Sequence, residues 1–369
     1  MLVDPDIRRA SSLPGRFYTS EAVFALTRER VLARTWHLLA DEERLAGPGR
    51  VLPCTLLEGC LDEPVVLTRD AAGGMHCLSN VCTHRGTVVV HEPAEVQGLR
   101  CRYHGRRFAL DGRFLSMPEF EGVEGFPRAA DDLRPVASAR LGRLVFAAVD
   151  PSVPFEDLVG PARASAASLG IPIDAIMDRM SSSPDESRDY DVGAHWALYC
   201  DNYLEGFHVP FVHAGLAATI DYGSYRTELH RWGTVQIAEA RGAGDDAFEG
   251  TRIAGLYLFL FPATMLNFYP WGLSVNAIRP LGMARTRVSY STYVHDESRR
   301  GRGAGADLHR VEMEDEAVVE AVQRGVRSRL YRSGRYSPSR ETGVHHFHRM
   351  LVEMIGEGAL VAALDATFS

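Results

Sequence analysis

From Thr19 onward, the stretch SEAVFALTRERVLARTWHLL spaces its apolar residues three and four apart, the period of a helix with one buried face. This predicts a surface-packed helix from about Ser20 to Arg34, with Thr19 as its N-cap. The texture then changes. Between about Gly49 and Asp150 the runs VLPCTLL, EPVVLTRD, GMHCLSN, RRFALDG and RLVFAAVD are short, rich in β-formers and separated by Gly, Pro and Asp, which predicts a small antiparallel β domain. A Pro-rich and Ser-rich passage, PSVPFEDLVGP and later RMSSSPDES, bounds it. Beyond lie long strands, GLYLFLFP and MLNFYPWGLSVNAIRP, mixed with helices around residues 194 to 208 and 307 to 330. The expected organisation is a helical segment over 1–35, a β domain over 36–150 and a larger α+β domain over 151–369, with no internal repeat.

Composition narrows the function classes. A chain of 369 residues, 46% hydrophobic and 24% charged, has the makeup of a globular protein with a large core. Its net charge of -8 argues against nucleic acid as a partner, since phosphate binding needs a clustered basic surface. The opening MLVDPDIRR carries charge where a signal peptide needs an apolar core, and no run of about eighteen apolar residues occurs. No membrane span is expected, and the cytoplasm is the expected compartment. Six cysteines in a reducing compartment read as metal ligands or buried thiols rather than disulfides. Cys54, Cys60, Cys77 and Cys200 are expected to be buried thiols.

The other two cysteines stand in CTHRGTVVVHEPAEVQGLRCRYHG, where Cys82 pairs with His84 and Cys101 with His104. Structural zinc sites commonly use C-x2-C or H-x3-H pairs, whereas here each loop contributes one sulfur and one nitrogen. That mixing favours a two-iron cluster over zinc, two thiolates binding one iron and two imidazoles the other. Gly86 and Gly105 follow the pairs and let backbone N–H groups approach the sulfurs.

A second candidate centre lies in AHWALYCDNYLEGFHVPFVH. His208 and His213 are five apart, about 140° round an ideal helix, so an unbroken helix separates them. Pro210 is expected to end or kink the helix near Val209 and swing His213 back. In DLHRVEMEDEAVVEAVQRGV the apolar stripe runs through Leu308, Val311, Val318, Val319, Val322 and Val326. Asp315 falls near its centre, Glu312 at its edge, and Glu314 and Glu316 off it. A core-facing carboxylate needs a partner or a metal, so Asp315 is the expected third ligand beside His208 and His213. Two imidazoles and one carboxylate with open positions form the facial triad of non-heme iron oxygenases.

Together CTHRG, CRYHG, DNYLEGFHVPFVH and EDEAVVEAVQRG resemble the Rieske non-heme iron oxygenases, through their catalytic (alpha) subunits. The resemblance implies a [2Fe-2S] cluster on Cys82, His84, Cys101 and His104 and a mononuclear Fe(II) on His208, His213 and Asp315. It implies an α+β architecture in which a Rieske domain (36–150) is inserted into a helix-grip catalytic domain (151–369), with the segment 1–35 packing on the latter. It further implies head-to-tail homotrimers in which Glu205 bridges the two metals across the interface, bonded to His208 of its own chain and His104 of the partner subunit. Many members have Trp after the second His-Gly; Arg106 and Arg107 stand here instead, and a changed docking surface or changed hydrogen bonds near the cluster are expected.

No C-x4-C-x2-C ferredoxin signature or dinucleotide fingerprint occurs, so electrons are expected from NAD(P)H only through a separate flavin- or ferredoxin-type reductase. GRGAGA at Gly301 reads as a hinge before the Asp315 helix, and HHFHR at 345 to 349 as part of a packed C-terminal helix. The run FPATMLNFYPWGLSVN resembles the choline, betaine and carnitine-type branch, with Phe268, Tyr269 and Trp271 as candidate aromatic faces for a trimethylammonium group. Adjacent strand residues point to opposite faces, so at most two of the three can line one pocket. The expected activity is hydroxylation or N-demethylation of a small quaternary ammonium compound with O2. The rival readings are oxygenation of an aromatic ring or acid, and a non-catalytic Rieske electron carrier.

Overall fold

The computed structural model describes residues 1–184, 187–242 and 246–366, so Asp185 and Glu186 of the RMSSSPDES passage lie outside the described residues. Contacts divide the chain into two compact units, Trp36–Pro151 and the two flanking stretches Met1–Thr35 with Ser152–Ser369.

The inserted unit is built from short antiparallel strands. Glu63–Arg69 lies between Arg50–Leu56 and Met75–Ser79, with Ala94–Glu95 on the far side of Arg50–Leu56. Leu144–Ala148 pairs with His37–Asp41 and Ala137–Leu141, and a third small sheet joins Leu99–Arg100, Arg107–Phe108 and Phe114–Ser116. Alternation along Glu63–Arg69 sends Val65 and Leu67 into one core with Leu52, Leu56 and Val145, and Val66 into another with Val51, Leu78 and Phe108. Cys82 and Cys101 belong to that second core. Of the remaining cysteines, Cys60, Cys77 and Cys200 are buried as expected, while Cys54 is only half-buried.

An eight-stranded antiparallel sheet organises the larger unit. Its central order is Arg285–Val294, Gly272–Gly282, Thr264–Tyr269, Ile253–Leu260, Gly233–Glu239, Arg226–His230. The long run from Met265 to Pro280 breaks at Pro270, which cannot donate to a central ladder. Only glycine fits at Gly272, where a Cβ would collide with the Tyr293 carbonyl oxygen. Ile253–Leu260 and Thr264–Tyr269 are buried at every position, so both faces of the sheet centre are covered.

The first helix is shorter than the sequence suggests. It spans Glu21–Arg30, with Ser20 rather than Thr19 as N-cap, the Ser20 hydroxyl accepting from Val23 N–H at 3.4 Å. Leu32–Arg34 tightens into a 3-10 turn, and the Thr35 hydroxyl donates to the Val31 carbonyl at 2.8 Å. HHFHR lies on the helix Thr342–Ile355, where His345 bonds the Asp4 carbonyl and His348 joins Tyr18, Asp201 and Tyr336. These bonds fasten the N-terminal segment to the larger unit. GRGAGA makes a turn containing Gly303–Gly305, and Asp307 then caps the long helix Leu308–Val326 by accepting from Arg310 N–H at 3.1 Å. No helix among the described residues is long and apolar enough to cross a membrane.

Candidate functional site

Two loops of the inserted unit share one backbone design. Cys82 N–H donates to the Thr87 carbonyl at 2.8 Å and Gly86 N–H to the Cys82 carbonyl at 3.0 Å; Cys101 N–H donates to Arg106 at 2.8 Å and Gly105 N–H to Cys101 at 3.1 Å. Gly86 and Gly105 have φ of +72° and +74°, the left-handed region that glycine enters without a Cβ penalty. Because His84 follows its cysteine by two residues and His104 by three, the same turn offers its imidazole from a different step. The rings meet with centroids 4.7 Å apart. Both Nδ1 atoms are buried without a hydrogen-bond partner, and both thiols are buried as well. Unpartnered buried nitrogens require an explanation, and two of them beside two buried thiols fit the mixed donor set of a two-iron cluster. Burial first, then the positive neighbours His104, Arg106 and Arg85, lower the His84 pKa and favour the neutral imidazole that binds metal.

Arg106 is not part of a docking surface. It is 1% exposed, with Nη2 donating to the Asp131 carbonyl at 3.0 Å and to Oδ1 at 2.7 Å. The rings of Phe114, Phe126 and Phe108 surround its guanidinium at 5.0, 5.4 and 5.7 Å. Pairing makes a desolvated guanidinium tolerable. The Thr83 hydroxyl donates to the same Asp131 carbonyl at 2.7 Å, so one residue ties both loops together. Arg107 is exposed on the following strand.

In the larger unit His208, His213 and Asp315 each offer a ligand atom within 4.8 Å of the others. Nε2 of His213 lies 3.0 Å, and Nε2 of His208 3.5 Å, from Asp315 Oδ1. Each ring is held at Nδ1 by a glutamate, His208 by Glu205 at 2.6 Å and His213 by Glu314 at 2.8 Å. Such outer partners fix the ring orientation and leave Nε2 for the metal. Burial acts to lower the His213 pKa, but Asp315 and Glu314 outweigh it and raise the value. A site that draws positive charge in this way fits a divalent cation.

The path to this geometry departs from the sequence reading. The helix Trp196–Tyr203 ends before Glu205, so Glu205 and His208 share a turn rather than a helix face. In that turn Glu205 Oε2 also accepts from the N–H groups of Phe207 and His208. Pro210 opens a helix instead of ending one: it sits in the first turn of Val209–Val212, where its missing N–H costs nothing. His208 and His213 cap the two ends of that single turn, with centroids 5.0 Å apart. On the long helix Asp315 is 13% exposed and faces the histidines, whereas Glu312, expected at the edge of the stripe, is buried completely. Val322, placed on the stripe, is 41% exposed. Glu314 was missed altogether. Its signal was a position beside Asp315 with Arg310 one turn earlier, which bonds it at 3.0 Å.

A cavity of about 100 Å³ adjoins these residues and is lined by Tyr199, Tyr203, Tyr225, Tyr257, Tyr269 and Tyr290. Asn202, Gln236, Asn267 and Asn276 supply neutral polar groups, and no lysine or arginine lines it among the described residues. Tyr203 donates to Asn267 Oδ1 at 2.7 Å and Tyr225 to Gln236 Oε1 at 3.1 Å. Of the three aromatic residues expected here, Tyr269 is present; Phe268 and Trp271 are not. Phe268 falls on the other face of its strand and is buried in the core, and Trp271, past the turn, stacks on Tyr269 at 5.3 Å and lines a separate cavity.

Both parts of the chain match described families: residues 35–127 the Rieske [2Fe-2S] domain and residues 179–357 the ring hydroxylating alpha subunit, catalytic domain. The chain belongs to the Rieske non-heme iron oxygenases as a catalytic alpha subunit, an enzyme with a Rieske cluster, a mononuclear iron and O2 as co-substrate. Among its relatives are the chloroplastic choline monooxygenase of Arabidopsis thaliana, 29% identical over 94% of this chain and 84% of the plant protein, and the carnitine monooxygenase oxygenase subunit of Escherichia coli K12, 27% identical over 94% of each. A quaternary ammonium Rieske monooxygenase solved with L-carnitine superposes with a TM-score of 0.75 at 24% identity, covering 95% of this chain and 97% of that one. Naphthalene 1,2-dioxygenase shares the fold as well, with a TM-score of 0.72 at 16% identity over 98% and 96% of the two chains.

Proposed function

We propose that Cys82, His84, Cys101 and His104 hold the cluster, that His208, His213 and Asp315 hold the iron, and that the chain hydroxylates or N-demethylates a small quaternary ammonium compound. The observation that carries the substrate class is the cavity beside His208, His213 and Asp315, walled by six tyrosines and neutral amides without a lysine or arginine. Tyrosine faces attract a trimethylammonium group through cation-π contact, which is worth up to about 2 kcal/mol when the cation is desolvated. With no lysine or arginine in the wall among the described residues, the cationic head rather than an anionic tail carries recognition. The choline and carnitine monooxygenases among the relatives support the same class.

Bound iron would supply O2 activation. Glu205 and Glu314 hold the two imidazoles in the orientation the metal needs, and the amides Asn267 and Asn276, bonded to each other at 3.2 Å, keep the far wall polar and ordered. Electrons come from NAD(P)H through a separate reductase. Glu205 serves as the bridge that passes them between subunits of a head-to-tail homotrimer, from His104 of the partner subunit to His208. Inter-subunit electron transfer is described for the carnitine-oxidising relative. The domain scheme follows: cluster domain 36–150, catalytic domain 151–369, with 1–35 packed on the latter. The buried thiols Cys77 and Cys200, outside the cluster loops, support a reducing compartment such as the cytoplasm.

Titration calorimetry tests the substrate class. Choline should bind at least tenfold tighter than its neutral carbon isostere, about 1.4 kcal/mol, and a Tyr257→Leu variant should narrow that gap. Equal affinity for the cation and the isostere would overturn the reading.

A further inference from the structure

Glu312 is a buried acid near this site whose burial the ligand set does not explain. It is 0% exposed on the long helix, one turn before Asp315. Oε2 accepts from the Tyr199 hydroxyl at 2.5 Å and from the Tyr290 hydroxyl, and those two hydroxyls are 3.1 Å apart. Oε1 is buried without a hydrogen-bond partner. The titratable groups that press on it are Tyr199 from the helix Trp196–Tyr203, Tyr290 from Arg285–Val294, Tyr190 from Arg188–Val192, and Asp315 and Glu316 from its own helix. Burial pushes its carboxyl up to about 8, with the two acids adding to the rise and the tyrosine hydrogen bonds opposing it. At neutral pH it is therefore a carboxylic acid carrying a proton.

The surroundings give that proton two exits. Tyr199 and Tyr290 both line the cavity beside His208, His213 and Asp315. Tyr290 also lines a second cavity of about 180 Å³, together with Tyr190, Asp307 and His309. There the Tyr190 hydroxyl meets Nδ1 of the exposed His309 at 2.8 Å, and the Tyr190 ring packs edge-on against Tyr290 at 5.4 Å. Among the described residues Tyr290 and Leu308 border both cavities, and of these two Tyr290 has the polar side chain. The second cavity is polar and roomy enough for water.

We infer that Glu312 is an internal proton store, feeding the iron-site cavity through the Tyr199 and Tyr290 hydroxyls and refilled from the outer cavity across Tyr290. This rests on the assignment of the iron to His208, His213 and Asp315. Placing one oxygen of O2 into a C–H bond and releasing the other as water consumes two electrons and two protons; the reductase supplies the electrons, and the protons must reach the cavity beside His208, His213 and Asp315. In the protonated acid Oε2 carries the proton and donates to one of the two hydroxyls; in each delivery that tyrosine passes its own proton inward and takes the one from Oε2, leaving a carboxylate that accepts from both hydroxyls. Water in the outer cavity, in exchange with His309 and Tyr190, returns a proton to it. Two deliveries complete a turnover. Glu312 touches neither substrate nor metal and acts through the tyrosines.

Infrared spectroscopy of the substrate-free protein and the fate of consumed O2 test this together. The wild type should show a protonated-carboxyl band at neutral pH that fades as pH rises through about 8 and is missing in Glu312→Gln. With iron content unchanged, Glu312→Gln should form product at least tenfold more slowly, release a several-fold larger share of O2 as peroxide, and lose the decline in coupled turnover that the wild type shows above about pH 8. Tyr290→Phe, which removes one oxygen and keeps the ring, should raise the peroxide share in the same way. A carboxyl band untouched by Glu312→Gln, or a wild-type peroxide share in both variants, would overturn the proposal. The infrared arm needs no substrate, so a wrong substrate class leaves it readable while abolishing turnover in wild type and variant alike.

Discussion

Glu205 and Glu314 hold the two imidazoles of the candidate iron site in the same manner, each at Nδ1, yet only Glu205 is legible in the sequence. Glu205 stands three residues from its histidine inside a compact motif, whereas Glu314 and His213 are separated by 101 positions, and no local pattern announces their pairing. Arg106 is hidden for the same reason: it looks like a surface cation until Asp131 and three phenylalanine rings enclose it. The four Cys and His residues of the inserted unit were readable because their chemistry depends on short-range spacing. Among the candidate pocket aromatics the strand alternation was readable, but which face held the cavity depended on the whole sheet. Replacing Glu314 by Gln keeps its shape and weakens its grip on His213. The variant should lose iron affinity by about 10- to 100-fold, read by competition with a chelator, while the visible spectrum of the cluster stays unchanged.

The elements show which local rules prevailed over pattern. Periodicity located the long helix Leu308–Val326, which depends on a run of residues acting together, but it read MLNFYPWGLSVNAIRP as one strand where Pro270 parts it into two. It failed where one residue has two uses. Pro210 is compatible with the end of a helix or the start of one, and the tertiary pairing of His208 and His213 with Asp315 selects the start. The matched cluster loops rest on Gly86 and Gly105, and each left-handed φ makes an alanine there cost roughly 1–2 kcal/mol. Nothing crowds a Cβ at Gly86, so Gly86→Ala isolates backbone strain; at Gly105 the Pro118 Cγ is already 3.4 Å from the position a Cβ would take. Thermal loss of the cluster absorbance should move to lower temperature in both variants, and at least as far for Gly105→Ala. An unchanged midpoint in Gly86→Ala would show that the loop does not need this conformation.

At the scale of the molecule the two units divide the chemistry. The inserted β unit buries two thiols and two unpartnered imidazole nitrogens, and the larger unit gathers two histidines and an aspartate beside a tyrosine-walled cavity. A β unit followed by an α+β unit was readable in the succession of short strands, long strands and helices, because the two have different textures; that the first is a Rieske domain inserted into the second came from the resemblance its Cys and His motifs carry. The substrate was not readable, since it depends on which six tyrosines the folded sheet and helices bring to one wall. Oxygen uptake with the purified protein, a competent reductase and NAD(P)H measures the account most directly. Choline, betaine and carnitine-type compounds should include at least one that stimulates uptake and leaves as a hydroxylated or demethylated product, while aromatic acids leave the rate at its background. Oxygenated product from an aromatic acid, with none from any trimethylammonium compound, would contradict it.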